Sequence, residues 1–267
     1  MTAPDRAALR AHLVESRIAG DVATSREDNL LKYGFLAARV SKAMFGLTFS
    51  GSWGLGDILA LMAERVGVSP DAGYLRGPDR IDPDLTVDGL DRMATHLRTA
   101  ARPGARVVVA TGHPAGLLPV HLAVAAGLKR AGAEVLTPAA GFGYETSTRV
   151  GRVTRRIRYI ADVATVSTRG ELNHTHSARP MGGILAALRE EGADLPDLVM
   201  ADHGWAGGAA EAGVTSVGFA DSNDPALFVG EEEGKVAVSV PLDDNVAPHL
   251  YKPLTAYLLA AAGLGSS

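Results

Sequence analysis

The stretch RVVVATGHPAGLLPVHLAVAAGLKRAGAEVL, residues 106–136, decides the fold class. It begins with a short β-branched run, Arg106 to Ala110, which predicts a strand. The turn TGHP follows, and a long apolar helix is expected over Ala115 to Ala131. Glu134 to Leu136 is the next predicted strand. A strand, a helix and a strand in this order favour a parallel sheet with a right-handed crossover.

The chain after this stretch repeats the same pattern. A second unit and a closing strand and helix are predicted over Asp197 to Ala201, Trp205 to Ala212, Val214 to Ala220, Lys235 to Val240 and Ala247 to Ala262. Arg156 to Val166, between the two units, is expected to be extended chain. The predicted fold class is therefore α/β: a mostly parallel, Rossmann-like sheet flanked by helices over residues 104–267.

The first hundred residues predict a helical region that packs on this core. Apolar residues recur at helical spacing over Asp5 to Ile18, Arg26 to Lys42, Leu55 to Val66 and Val87 to Ala101. Ser25 is a predicted N-cap for the second of these helices. Ser69 to Asp84 is rich in Pro, Gly and Asp and is expected to be a loop. Pro103-Gly104 is a candidate boundary between regions 1–103 and 104–267.

Composition excludes several classes of function. The chain has 267 residues, a formal net charge of -4 and a pI of about 6.1, which gives no electrostatic case for a nucleic acid or an anionic membrane as partner. The sequence has no cysteine, and this excludes disulfides, a thiolate nucleophile and zinc–thiolate sites. Neither an apolar signal core nor a membrane-length apolar run is found, so the expected location is the cytoplasm.

Polar residues gather where the predicted strands end. In an open parallel sheet these ends share one edge, where ligands bind. The five clusters are Thr111-Gly112-His113-Pro114, Asn173-His174-Thr175-His176-Ser177, Asp202-His203-Gly204, Asp221-Ser222-Asn223-Asp224 and Asp243-Asp244-Asn245. The Asp and Asn residues of the last two clusters are weaker indications, because these residue types are common in turns.

The TGHP turn joins a strand to a helix. Backbone N–H groups at the helix start could hold a phosphate, and Gly112 would permit its close approach. The turn has neither a Walker lysine nor the dinucleotide glycine pattern. A tight turn with a capping role is the structural alternative.

Two further clusters carry imidazoles. On a strand, the spacing of His174 and His176 would place both rings on one face, where they could share a metal ion or a phosphoryl group. Asp202 and His203 could ligate a metal or exchange a proton. Solvated loop histidines and an N-capping role for Asp202 are the respective structural alternatives.

The other histidines and a basic run have simpler interpretations. His12 and His96 are predicted at the surface, His121 in the core, and His249 within reach of the site. The basic run comprises Arg149, Arg152, Arg155, Arg156 and Arg158. A solvated face is the expected role of this run, and an entrance that attracts an anionic substrate is the alternative.

The chain also resembles a known family. Residues 20–29, the TGHP turn, His174-Thr175-His176-Ser177, Asp202-His203-Gly204 and residues 241–245 occur in the order found in an actinobacterial phosphatase family that is histidinol-phosphate-phosphatase-like. The resemblance runs from about Ile18 to Tyr257 and implies phosphomonoester hydrolysis.

The leading hypothesis is a cytoplasmic phosphatase that hydrolyses a small phosphorylated metabolite, as a monomer or a homo-oligomer. The candidate catalytic residues are His113, His176, Asp202 and His203, and the candidate substrate-binding residues are Gly112, Arg26 and Asn245. A divalent metal, Mg²⁺ or Mn²⁺, could be held by His174, His176 and Asp202. A metal-free phosphohistidine route stays open. The alternatives are a phosphosugar lyase or isomerase, and a non-catalytic regulator that binds a sugar phosphate or a nucleotide.

Overall fold

A central mixed sheet organises the molecule. The computed structural model describes residues 2–148 and 151–265, and within them the sheet has nine strands in the order β11-β10-β9-β3-β7-β6-β5. Two short strands lie off this path, β4 beside the start of β3 and β8 beside β7. All pairs from β11 to β7 are parallel, which confirms the predicted α/β class and its mostly parallel core.

The strands of this sheet are short. Their bounds are β3 Arg106–Ala110, β4 Glu134–Val135, β5 Gly143–Thr148, β6 Gly151–Ile160, β7 Val163–Thr168, β8 Glu171–Asn173, β9 Leu198–Asp202, β10 Ser216–Ala220 and β11 Val238–Pro241. The helices are α1 Arg6–Glu15, α2 Arg26–Ala37, α3 Leu55–Arg65, α4 Pro83–Ala100, α5 Pro114–Arg130, α6 Arg179–Glu190, α7 His203–Glu211, α8 Pro225–Glu232 and α9 Lys252–Ala261.

The unit that decides the fold forms as predicted. β3 is buried over Val107, Val108 and Val109, as expected of a central strand covered on both faces. α5 begins with Pro114 at its first turn, a position where proline costs no hydrogen bond. Its bounds agree with the prediction to within one residue at each end. The strand after it, β4, pairs parallel to β3.

An antiparallel extension replaces the single extended segment predicted at Arg156 to Val166. β6 and β7 pair antiparallel there, β5 pairs antiparallel with β6, and β8 with β7. Two-residue connections join β6 to β7 and β7 to β8, and antiparallel neighbours can be joined by such tight turns. The prediction of extended chain is confirmed, and its division into a meander was missed.

The N-terminal region is largely helical, as predicted, and it also contains a small sheet. β1 (Gly20–Ser25) pairs antiparallel with β2 (Pro78–Ile81), so the predicted loop from Ser69 to Asp84 holds a strand. Ser25 is the predicted N-cap of α2, and its Oγ accepts a hydrogen bond from Asp28 N. The boundary at Pro103-Gly104 stays a prediction; one core cluster includes Leu9 and Leu90 as well as Leu264.

Within the described residues, no helix combines the length and the apolar composition that crossing a bilayer requires.

Candidate active site

Four neighbouring parallel strands bring their carboxyl ends to one edge of the sheet. In sheet order these strands are β11, β10, β9 and β3. The chain leaves each of them through one of the polar clusters noted in the sequence. The side chains of these clusters therefore meet above the carboxyl edge, where open parallel sheets bind ligands.

The His174 loop reaches this edge by a different route. β7 pairs with β3 through Val163 and Ala164 and then extends past the end of β3. β8 returns antiparallel, with Asn173 opposite Val166. The two histidines therefore lie in the loop after β8 and not on a strand, which corrects the expectation that strand spacing aligns them. Thr175 N fixes this loop by donating to the carbonyl of the TGHP turn at 2.8 Å.

Three glycines allow the loops to approach one another. A Cβ on Gly112 would lie 2.3 Å from Thr175 O, one on Gly204 2.3 Å from His176 O, and one on Gly116 2.3 Å from Asp244 O. No side chain fits at such distances. Gly112 and Gly116 are therefore needed for loop packing, and Gly204 for the contact between α7 and the His174 loop.

Four imidazoles form one continuous group above the edge, here called the imidazole cluster: His113, His174, His176 and His203. His113 stacks on His174 with ring centroids 4.5 Å apart, and His176 stacks on His203 at 4.5 Å. His174 and His176 meet edge to face at 4.7 Å. The predicted convergence of these histidines in one place is confirmed.

His203 lies at the centre of the cluster and is held from both sides. Its Nδ1 is 2.8 Å from Asp202 Oδ1, and its Nε2 is 3.1 Å from Asp224 Oδ2 and 3.3 Å from Asp244 Oδ2. Burial alone would lower the pKa of His203, but the charge of Asp224 and the hydrogen bond to Asp202 outweigh it. The pKa of His203 therefore lies well above its ordinary value.

The backbone of His203 is unusual as well. α7 begins at this residue, two positions before the predicted start, and its φ is +48°. Residues other than glycine rarely adopt this left-handed conformation. Those that do are frequent at functional sites. The contacts of the imidazole with Asp202, Asp224 and Asp244 hold the residue in this conformation.

Asp202 lies behind His203 and not in the open cleft. Its Oδ1 accepts from Gly112 N at 2.6 Å and its Oδ2 from Thr111 Oγ1 at 2.5 Å, in addition to the contact with His203. Burial would raise the pKa of Asp202, but these hydrogen bonds and the charge of His203 hold it well below its ordinary value. The geometry replaces the expected metal-ligand role of Asp202 with that of orienting His203.

The same contacts correct the expectation for Gly112. Its N–H is bonded to Asp202, and the N–H of His113 donates to Thr111 Oγ1 at 3.0 Å. Pro114 has no N–H. The TGHP turn therefore offers no free donor from residues 112–114, and Gly112 serves loop packing in place of phosphate binding.

His113 pairs with a carboxylate of the last strand's loop. Its Nδ1 lies 2.9 Å from Asp244 Oδ1, although the angle is outside hydrogen-bond geometry. Burial lowers the pKa of His113, but Asp244 outweighs this effect, so that the pKa is raised. His113 therefore carries a proton more readily than a free histidine does.

The other two imidazoles of the cluster are held neutral. His174 is exposed on one side, yet its ring lies among three others, and partial burial with the charge of His203 lowers its pKa to about 3. The same two causes lower the pKa of His176 to about 4. Neutral imidazoles have a free lone pair, so both residues can act as metal ligands or proton acceptors.

Among the described residues, three groups of side chains have ligand atoms close enough together to hold a metal ion. The first group is His113, His174 and His203, the second is His176, His203 and Asp224, and the third is Asp221, Asp243 and Asp244. The second and third groups contain residues to which sequence analysis gave no site role. Each of these acids alone is a weak indication, because Asp is common in turns; the informative pattern is that their loops directly follow core strands.

The buried acids of this edge exceed the cations available to them. Asp202, Asp221, Asp224, Asp243 and Asp244 are all buried, and the imidazole cluster contains two histidines whose pKa is raised. Burial and the neighbouring Asp244 raise the pKa of Asp221 well above its ordinary value. Asp244 Oδ2 is buried and makes no hydrogen bond. The residues present therefore fit a divalent cation, because it would neutralise this charge.

Arg26 and Asn245 do not join the imidazole cluster. The Arg26 side chain is fully buried, and its guanidinium donates to the carbonyls of Ser69, Asp71 and Tyr74 and to the carboxylate of Asp79. These contacts use every guanidinium nitrogen, so Arg26 fixes the loop before β2 and is not free to bind substrate. Asn245 is exposed next to the acidic loop, and a role in substrate binding stays a prediction.

The remaining histidines are placed as follows. His121 is fully buried, which confirms its prediction as a core residue. Its Nδ1 donates to Leu117 O, and its Nε2 lies 3.8 Å from Asp202 Oδ2. His12 is half-buried and contacts Leu250 O, so it is not a free surface residue. His96 is half-buried in α4, and His249 is exposed outside the cluster.

Two cavities meet at His176. The smaller has a volume of about 210 Å³ and is lined by Lys32, Lys42, Phe45, His176 and Asp224 among others. The larger, about 1180 Å³, extends from the His174 loop towards β5 and β6. Because His176 and Asp224 border the smaller cavity, the second of the three ligand groups is open to a small molecule.

Fold and site together define an α/β protein with an imidazole–carboxylate centre at the carboxyl edge of its sheet. The family described as Phosphatase matches residues 4–266, and the chain belongs to this family. A relative, Phosphatase SCO2771 of Streptomyces coelicolor, is 52% identical over 263 residues, which cover 98% of this chain and 97% of that protein. The resemblance to an actinobacterial phosphatase family is thereby confirmed, and phosphatase activity is favoured over the isomerase and regulator alternatives.

Proposed function

We propose that this protein hydrolyses a small phosphomonoester with the help of a divalent metal ion bound beside His203. The observation that carries the proposal is the position of His203, whose Nδ1 contacts Asp202 while its Nε2 faces Asp224 and Asp244. Histidine ligands of metal ions are commonly oriented by a carboxylate on the second ring nitrogen. The space at Nε2, between two carboxylates, suits either a proton or a cation.

The second ligand group is the better candidate for the metal. This group of His176, His203 and Asp224 includes a carboxylate, which lowers the cost of placing a divalent charge in a buried site. His176 and Asp224 also border the smaller cavity. A mixed set of imidazole and carboxylate ligands favours Mn²⁺ or Zn²⁺ over Mg²⁺, which prefers oxygen. When bound, such an ion activates water and neutralises charge on the phosphoryl oxygens.

The protein's own residues then supply orientation and a proton. Asp202 fixes the ring plane of His203 through Nδ1. Asp244 lies beside Nδ1 of His113 and favours the protonated form of this imidazole, whose Nε2–H can then be donated to the leaving oxygen of the ester. The Lys32 and Lys42 side chains line the smaller cavity, where their charges attract the phosphate dianion.

A phosphate-release assay over phosphorylated metabolites, with the protein stripped by a chelator and then reloaded, tests this proposal. We expect no phosphate release after stripping and recovery with Mn²⁺ or Zn²⁺. Full activity after stripping, together with an acid-labile phosphoenzyme, would overturn the metal-assisted route in favour of a phosphohistidine. No release from any compound under any metal condition would overturn the phosphatase assignment itself.

Replacement of His176 by Ala is the sharpest single variant. It removes one imidazole of the proposed ligand group and should lower kcat by at least about a hundredfold, the usual range for a lost ligand or acid/base group. His96→Ala is the matched control, because His96 lies outside the cluster and makes no hydrogen bond among the described residues. A normal rate for His176→Ala would remove this residue from the chemistry.

A further inference from the structure

The larger cavity has an unusual lining. It begins at His174 and His176 and extends over β5, β6 and the start of α6. Three of its side chains are cationic, Lys42, Arg155 and Arg179, and several others carry hydroxyl groups. None of the described residues that line it is a carboxylate. This lining is complementary to a hydroxylated molecule with negative charge.

Side chains alternate between the two faces of β6, and Arg155 lies on a different face from the other described arginines of the basic run. Arg152, Arg156 and Arg158 are exposed, whereas Arg155 is half-buried on the opposite face of the strand. The expected solvated face is thus formed by the three exposed arginines, and Arg149 lies outside the described residues. Arg155 Nη1 donates to His174 O at 2.8 Å, and its Nε is buried without a hydrogen bond.

Within the described part of the chain, Arg179 and Lys42 also contact only neutral groups. Arg179 Nη1 donates to Glu145 O at 2.7 Å, and its guanidinium lies over the Tyr144 ring at 5.9 Å. The Lys42 ammonium lies over the Phe35 ring at 5.4 Å. Their charges are therefore not neutralised by contact. Such uncompensated charge on one wall of a cavity is typical of a binding site for an anion.

The start of α6 adds to this positive field. Its N-cap, Ala178, has no side chain that could accept a hydrogen bond, and both Ala178 and Arg179 line the cavity. The first turn of a twelve-residue helix carries a partial positive charge. This charge, and not free donors, is its contribution here, because Arg179 N donates to Ser177 Oγ and Pro180 has no N–H. Helix start and arginines thus face the same space.

We infer that the substrate is a small phosphomonoester with a second anionic group, a phosphate or a carboxylate, which binds in this larger cavity while the ester phosphate lies at His176. The inference rests on the proposed function and names the substrate class of the same site. Arg155 and Arg179 are the residues that determine specificity. The reacting phosphate is held at the imidazole cluster, so their contribution is to binding and not to the chemical step.

Matched substrate pairs test this inference on the metal-loaded protein. Fructose 6-phosphate against fructose 1,6-bisphosphate adds a second phosphate, and glycerol 3-phosphate against 3-phosphoglycerate adds a carboxylate. For at least one pair we expect kcat/KM to be about tenfold higher for the member with the added charge, as one charge-assisted hydrogen bond can provide. The pair that shows the preference identifies which anion is recognised.

Variants then locate the preference. Arg155→Ala and Arg179→Ala should each reduce the ratio towards one, mainly through KM, because uniform binding is lost. Arg158→Ala, on the same strand but facing solvent, should retain the ratio. Unfolding midpoints of all three variants show whether the His174 loop is still folded, and Arg179→Ala provides the test if Arg155→Ala unfolds.

Two results would overturn the inference while the proposed function stands: equal kcat/KM within both pairs, or a preference that both Arg155→Ala and Arg179→Ala leave intact. Phosphate release from none of the four compounds or of the wider metabolite panel would overturn the proposed function, and the inference with it.

Discussion

At the scale of single residues, the site depends on how each imidazole is kept in its charge state. Carboxylates facing both ring nitrogens raise the pKa of His203, whereas partial burial and the charge of His203 lower the pKa values of His174 and His176. Asp202 lies behind His203 and supports this arrangement of charges through its contacts. It accepts from Thr111, Gly112 and His203 and so defines the position of the whole cluster.

Replacement of Asp202 by Asn tests this role. The amide keeps the shape of the carboxylate but loses its charge, so Nδ1 of His203 loses the acceptor that fixes its tautomer and directs Nε2 towards the proposed metal position. We expect activity and metal affinity to fall by about ten- to a hundredfold, the usual cost of a lost orienting partner. Titration of metal into the stripped protein measures the affinity, and steady-state kinetics measure the rate.

Asp194→Asn is the matched control for this variant, since Asp194 is exposed in the loop before β9. It should bind metal and turn over substrate like the parent protein. If Asp202→Asn keeps the parent metal affinity and rate, Asp202 is a structural acid without influence on His203.

At the scale of secondary-structure elements, contacts between loops position the site residues more directly than the strands do. Gly112 and Gly204 lie so close to the His174 loop that a side chain at either position would displace it. The positions of His174 and His176 are therefore set by backbone contacts with the TGHP turn and α7, and not by the sheet ladder. This arrangement predicts that a methyl group at Gly112 disturbs the site directly.

Gly112→Ala should destabilise the protein by about 1 to 3 kcal/mol, the usual cost of overpacking, and should lower activity because the His174 loop moves. Gly182→Ala is the matched control: Gly182 lies inside α6 with open space around it, and alanine there favours the helix by up to about 1 kcal/mol. Thermal unfolding and phosphate release measure both. Equal midpoints for the two variants would contradict the packing argument.

Sequence patterns predicted the elements well where local signals are strong. The β-branched run of β3, the apolar helix α5 and the N-cap Ser25 were all placed within a residue or two. β1 and β2 were missed because each is short and polar, and their pairing joins segments more than fifty residues apart. The polar residues after the strands identified the edge of the sheet that carries the site. Loop packing determines which acids face the histidines, and no local sequence pattern encodes it.

At the scale of the whole molecule, the candidate site connects segments that are distant in the sequence. The imidazole cluster draws on the loop after β3, the loop after β8 and the start of α7, and the facing acids come from the loops after β10 and β11. Thr24 of β1 also donates to Asp221, which brings the N-terminal region into contact with the acidic loop. A ligand at this place would therefore bind the folded chain and not the unfolded one.

Metal binding should consequently stabilise the fold. A ligand that binds the native state alone adds about 2.7 kcal/mol at a concentration one hundred times its Kd. The stripped protein should therefore unfold several degrees lower than the protein with Mn²⁺ or Zn²⁺, because cross-linking by the ion also relieves the repulsion among the buried acids. The shift should shrink in His176→Ala, which lacks one proposed ligand, and persist in His96→Ala. Differential scanning calorimetry with and without metal measures the shift, and elemental analysis of the dialysed protein gives the number of ions bound. An unfolding midpoint that is unaffected by every divalent ion would show that the buried acids are balanced by protons alone and that the imidazole cluster works without a metal.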